Sequence, residues 1–523
     1  MKNRKFDLII FHYHLLPGGV TDVIKHSLPV FAGMKNIKSI QILCGRSQNT
    51  TSMREAIEKL HTEANQCPIT LEVISELDYR SHQKERPAPE SLRKLLLERF
   101  SSPHSIWLIH NYHLGKNWAL TAALNRIARE GHQKMIYQIH DFPECARYAN
   151  LNELKTNIPG SLYPRSSSLR YCVINGRDFN IMKEAGLPDG IIHLLENPVP
   201  LQENPSKVPI VKSELMKKLK AYTPLKGNFH PQGELWLYPV RSIRRKNVLE
   251  GGFLCSLIKD DVNLIVTLPG ISSQENEYSQ LCEKAFTQGL IPGFWGTGSL
   301  PGEAGISYQE MISASDLIFS SSVQEGFGYM YLNALVWQKP LLARHLDIMD
   351  GFTPLMTDYP AHLYETILVP SDQDLKTRLH RDYSQRLDDL EDFQSPEVKK
   401  KLLEDLNGLI EGDSVDFSYL SPSDQYSFLE RCQSRLFISE CRELNNSLLE
   451  EIQKLKSLTV SDKETQIFYS YGEEAYRKAF KEILDSFEEP LTADQTDELL
   501  EEKVDKNLQL EFSRLEFLRL LYR

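Results

Sequence analysis

Residues 316–344 read DLIFSSSVQEGFGYMYLNALVWQKPLLAR. An apolar run, 316–320, ends in small hydroxyl residues. Glu325-Gly326-Phe327-Gly328 then opens a helical pattern, and a second apolar run follows at 340–343. Short apolar runs that alternate with helices read as buried parallel strands covered on both faces. The same alternation extends upstream through 235–238 (LWLY) and 263–268 (NLIVTL). Before that come 6–12, 39–44, 70–74, 105–110, 135–140, 170–174 and 191–195. The sequence therefore predicts an α/β protein with two Rossmann-like, doubly wound domains and an interdomain cleft. The expected boundaries are 1–205 for the first domain, 206–232 for a proline- and lysine-containing linker and 233–375 for the second domain. From 376 to 523 the pattern is helical, including Leu508, Leu510, Phe512, Leu515, Leu518 and Leu521, and predicts an all-helical C-terminal extension. Its role is packing or homo-oligomer assembly.

Composition narrows the function classes. The 523 residues, at roughly 150 per domain, suggest three or four units. Sixty Lys and Arg against 71 Asp and Glu leave a net charge of -11, a poor general partner for nucleic acid. No window approaches the roughly 18–20 apolar residues of a membrane span. The start, Met1 to Ile10, reads as a first strand and not a signal peptide. Eight scattered cysteines without zinc-ligand spacing fit a reducing, cytoplasmic location, so the sequons at Asn49 and Asn445 read as chance matches.

Ligands of open α/β sheets sit beyond the carboxyl ends of the strands, so polar residues there are the site candidates. His12 and His14 follow the first run, then Gly18-Gly19-Val20 lets backbone approach a ligand at a helix start. His110 and His113 follow 105–109, and His140-Asp141 closes 135–139. Each histidine alone also fits a structural role, and no metal-ligand spacing stands out. Arg241, Arg244, Arg245 and Lys246 crowd six positions after a strand, as either a solvated charge run or a phosphate clamp. Glu325 offers a carboxylate to sugar hydroxyls, and the glycines at 326 and 328 offer backbone N–H groups to an anion. A phosphorylated sugar carries both kinds of group.

Taken together these motifs make the chain resemble the GT-B glycosyltransferases, most closely the retaining glycosyltransferase family 4. The carrying residues are Ser322 through Gly328, Asn333-Ala334-Leu335, Lys339-Pro340-Leu341, Arg241 with Lys246, Gly18-Gly19-Val20, His140 and Asn197-Pro198-Val199. The resemblance covers about 5–370. It implies transfer of a hexose from a UDP- or GDP-linked sugar to a hydroxyl acceptor with retention and without metal or other cofactor. By the resemblance, Arg241 and Lys246 neutralise the departing diphosphate, and Glu325 holds hydroxyls of the transferred sugar beside Gly326, Phe327 and Gly328. His140 contacts the sugar or the acceptor side. His12, His14, His110, His113 and Asp141 are candidates for the acceptor side, with a soluble acceptor expected. One position departs: the family's second Glu, eight residues after the first, is Asn333. A neutral hydrogen bond in place of a charged one loses on the order of 1 kcal/mol of ribose binding. Two other readings stay open, a sugar phosphorylase of the same fold and a non-catalytic sugar- or nucleotide-binding protein.

Overall fold

The computed structural model describes residues 5–62, 67–200, 210–222, 228–258, 261–271, 273–300, 305–389, 396–489 and 498–521. It divides into two units, 1–201 with 468–513, and 202–467 with 514–523.

The first unit is built on seven parallel strands: β1 (Phe6–His12), β2 (Ile37–Cys44), β3 (Ile69–Val73), β4 (Ser105–His110), β5 (Lys134–Ile139), β6 (Leu169–Val173) and β7 (Ile192–Leu194). Their order is β3-β2-β1-β4-β5-β6-β7, so the winding reverses between β1 and β4. Helices follow the strands, beginning with Gly19–Ala32 after β1. β4 is buried along its whole length, as a central strand covered on both faces must be.

The second unit repeats the plan with β8 (Glu234–Arg241), β9 (Val262–Leu268), β10 (Gly293–Trp295), β11 (Leu317–Ser320), β12 (Leu341–Arg344) and β13 (Ala361–Tyr364). The order β10-β9-β8-β11-β12-β13 places its reversal between β8 and β11, all pairs being parallel. The doubly wound fold expected from the apolar runs is present twice. β10 and β13 lay outside the sequence expectation because three- and four-residue edge strands carry little periodic signal.

The structure adds detail to two stretches. The stretch 206–232 is not merely a linker: it contains the helix Lys212–Tyr222, while 206–209 and 223–227 lie outside the described residues. The region 376–523 is helical as expected, with one short strand among its described residues. Ser414–Asp416 forms β15, antiparallel to β14 (Leu368–Pro370), and the segment is shared between the units. Helix Glu473–Ser486 belongs to the first. Its Tyr476, Phe480, Ile483 and Leu484 form one apolar stripe that joins the core of the first sheet, with Phe480 4.6 Å from Phe31 between ring centroids. The stripe needs an apolar partner, and the helix after β1 supplies it.

Candidate active site

In the second unit the candidates gather at the carboxyl ends of β8 and β11. β8 ends at Arg241, and a tight turn, Arg244–Lys246, leads to Asn247 in the left-handed region (φ 50°), from which helix Val248–Leu257 starts. That backbone is held from several sides. The Asn247 carbonyl oxygen of the side chain accepts from Arg244 at 3.0 Å and Gln425 at 2.9 Å, and its amide donates to Glu250 at 2.7 Å. Tyr238 donates its hydroxyl to the Lys246 carbonyl at 2.6 Å, Ser321 to the Asn247 carbonyl at 2.9 Å, and Val323 its amide to Arg245 at 2.8 Å. The hydroxyl run Ser320–Ser322, fully buried, therefore fastens the basic turn to the end of β11.

Behind the turn lies a closed ion network. Arg344, from β12, bonds both oxygens of Glu250 at 2.9 Å and both of Asp416 at 2.8 and 3.0 Å; Tyr364 donates to Glu250 at 2.9 Å. All of these charges are paired and hydrogen-bonded, which is the condition for burying them.

The result is a convergence on Glu325. Lys246 forms an ion pair with it, and Arg245 reaches its other oxygen at 3.4 Å. The Glu325 and Lys246 side chains are only 11% and 13% exposed. Burial alone would raise the Glu325 carboxyl, but Lys246 and Arg245 outweigh it and hold the group below its ordinary range. Burial pushes Lys246 down to about 8, against the pull of Glu325, with Arg245 and Arg241 adding to the fall. Arg241 stands at the strand end, 36% exposed and 3.9 Å from Glu275. Gly328, with φ 95°, caps helix Tyr329–Val336; a methyl there would meet the Tyr331 ring at 2.7 Å, so glycine is required. Phe327 is buried against Phe352, and Asn333 is half-buried in the helix.

In the first unit β1, β4 and β5 deliver a row of histidines to the carboxyl edge of the sheet, beside its reversal point. His110 and His140 share a hydrogen bond of 2.9 Å, and ring centroids step 5.4 Å from His14 to His12, 6.1 Å to His110 and 5.2 Å to His140. Burial, the first cause for each, depresses His12 to about 3, His140 to about 4 and His110 well below the ordinary value. The three rings are neutral at pH 7. Asn111 (φ 53°) orders this edge by accepting the His140 amide at 2.8 Å. Asp141 is part-exposed and pairs with Arg147 at 3.2 Å. Gly18 precedes helix Gly19–Ala32, and an added Cβ at Gly19 would meet nothing within 4 Å.

His113 does not join the row. It is fully buried among Tyr112, Tyr163 and Phe142, with centroids at 4.4, 5.3 and 5.8 Å, and burial lowers it to about 3. Of the histidines expected on the acceptor side, it is the one the structure sets apart from the row. Conversely, the sequence reading passed over Arg245, part of the noticed basic run, and Arg46, which follows Cys44-Gly45 at the end of β2 and obeys the same strand-end rule. Among the described residues there is no cluster of three or more metal-ligating side chains, and no helix is long and apolar enough to cross a membrane.

No protein-family model matches the chain. It is 29% identical to mannosylglucosyl-3-phosphoglycerate synthase of Petrotoga mobilis over 523 residues, 99% of each chain. Similar solved structures include Anabaena HepE in complex with UDP-glucose, with a TM-score of 0.48 at 11% identity, covering 92% of this chain and 100% of that one. Sucrose-phosphate synthase from Thermosynechococcus elongatus has a TM-score of 0.48 at 11% identity, covering 92% and 98%. With two doubly wound parallel sheets, the strand-end motifs and a full-length likeness to a sugar-phosphoglycerate synthase, the chain resembles the GT-B glycosyltransferases.

Proposed function

We propose that the protein is a retaining, metal-independent glycosyltransferase that moves a hexose from a nucleoside-diphosphate sugar to a hydroxyl of a soluble, anionic acceptor. The observation that carries the reading is the pairing of Lys246 and Arg245 with Glu325 in a nearly closed setting, beside the glycine turn at the reversal point of the second sheet. A buried lysine and a part-exposed arginine held by one buried carboxylate form a preorganised receiver for a diphosphate. When the donor binds, its phosphates take Lys246 and Arg241, and Glu325 turns its oxygens to hydroxyls of the sugar.

In the reaction the bond from the anomeric carbon to the diphosphate oxygen breaks, a bond to the acceptor oxygen forms on the same face, and the acceptor proton leaves with the diphosphate. Negative charge grows on the leaving group, which is where Arg241 and Lys246 act; such electrostatic stabilisation is typically the largest contribution to rate. Neutral His140, steadied by His110, offers a hydrogen bond to the sugar or acceptor. No metal or other cofactor takes part. The name of the Petrotoga relative supports a phosphoglycerate-bearing acceptor.

Calorimetric titration with UDP, GDP, ADP, inorganic phosphate and glucose 1-phosphate, in EDTA, tests the reading. Selective binding of one nucleoside diphosphate, followed by EDTA-resistant turnover of the matching sugar donor with retained anomeric configuration, is expected. Binding of phosphate or glucose 1-phosphate without any nucleotide would replace it with the phosphorylase.

A further inference from the structure

We infer that the first unit carries a phosphomonoester-binding subsite formed by Lys116, Tyr79 and Arg46 at the carboxyl ends of β2, β3 and β4; as the place of the acceptor's phosphate, it rests on the transferase reading.

The loops that build it are tied together. Asn117 donates from one amide nitrogen to the carbonyls of Glu76 and Asp78, both at 2.9 Å, and Arg80 donates its backbone N–H to Lys116 at 2.8 Å. Gly45 lets the loop after β2 reach the loop after β3: a Cβ there would lie 2.2 Å from the Asp78 nitrogen. Gly115, at φ 69°, supplies the left-handed residue just before Lys116, where a Cβ would lie 2.5 Å from the Asn150 carbonyl oxygen.

The charges around Tyr79 do not cancel. Arg46 donates Nε to both oxygens of Asp78, at 2.7 and 2.8 Å, and lies over the Tyr79 ring at 5.3 Å. Arg147 is matched by Asp141 at 3.2 Å. Lys116, 5.6 Å from the Tyr79 centroid, has no carboxylate within ion-pair distance among the described residues. An ammonium that is half withdrawn from water and unmatched is one positive charge in excess, and burial followed by the nearby Arg147 already weakens its hold on its proton. An anion relieves both effects.

Tyr79 is set to donate. The Leu16 amide donates to His14 Nδ1 at 3.3 Å, so the neutral ring carries its hydrogen on Nε2 and gives it to the Tyr79 oxygen at 3.0 Å. The phenolic hydrogen is left for an acceptor atom outside this pair. A cation, a hydroxyl donor and a guanidinium together suit a doubly charged phosphate. From this end the row His14, His12, His110, His140 leads along the sheet edge, so a phosphate at Lys116 directs the rest of the acceptor toward His140.

The test is calorimetry on the full chain with 3-phosphoglycerate and with glycerate, in the presence of saturating UDP or GDP to occupy the donor site. The expected result is binding of 3-phosphoglycerate and not glycerate, weakened about tenfold or more in Lys116→Gln, weakened in Tyr79→Phe, and retained in Lys116→Arg. Unchanged binding in both Lys116→Gln and Tyr79→Phe, or no preference for the phosphorylated probe, would overturn the subsite. If 3-phosphoglycerate binds through Lys116 while no nucleoside diphosphate binds the wild type, the subsite stands and the transferase reading falls.

Discussion

Replacing Lys246 by Met strips Glu325 of its main counter-charge in a setting where neither side chain is more than 13% exposed. Breaking a buried pair by removing one partner typically costs 3–5 kcal/mol, because an uncompensated charge stays inside. Arg245 remains at 3.4 Å from the other carboxylate oxygen, which brings the expected loss to about 2–3 kcal/mol. Adding Glu325→Gln removes the stranded charge and should restore most of that loss, giving a coupling energy of about 2 kcal/mol in a double-mutant cycle. Urea unfolding at pH 7 measures it. The cations hold the Glu325 carboxyl low, so its contribution is present at neutral pH and fades as pH falls through that depressed value. In Lys246→Met the loss should begin at higher pH. The same variants separate stability from ligand binding. Lys246→Met should weaken UDP or GDP by about tenfold or more, whereas Glu325→Gln, which frees Lys246, should bind the diphosphate at least as well while turnover drops about 10²-fold. Coupling below about 0.5 kcal/mol would show the pair to be solvent-screened. Equal loss of diphosphate affinity in Glu325→Gln would refute the division of roles.

Two further outcomes follow from other parts of the molecule. Asn333→Glu should tighten nucleoside diphosphate binding about five- to tenfold in the same titration if the ribose lies on this helix, and unchanged affinity would place it elsewhere. Burial, joined by Asp505, raises Glu144 to about 7, and Tyr163 donates to it at 3.0 Å. A raised carboxyl contributes stability below its ordinary range that is lost as pH rises through 7. Glu144→Gln should therefore be more stable than wild type at pH 8.5, by on the order of 2 kcal/mol, with the difference vanishing near pH 5; the opposite trend in urea unfolding would show Glu144 to be ionised in the fold.

The strand plan was legible because fully buried parallel strands must be continuous apolar runs. β1 and β4 coincide with the runs at 6–12 and 105–110 for that reason. The basic turn and Glu325 were legible as residue types at strand ends. His12, His110 and His140 were visible one by one, but their contact was not, because three strands far apart in sequence bring them together. His113 had the same signature as His110, three residues away, yet it faces an aromatic cluster and not the edge. No local pattern distinguishes the two.

Periodicity, strand-end chemistry and charge spacing thus determined two doubly wound sheets, a basic run after one strand and a carboxylate with glycines after another, since these depend on neighbours in sequence. Pairing across long loops was decided only in three dimensions. Arg344, Glu250 and Asp416 close one network, Glu501 of the last long helix accepts from Arg129 at 2.8 Å, and the segment after 467 returns to the first core. A long polar helix carries no address of its own; its partner is settled by which buried charge or apolar stripe would otherwise remain uncovered.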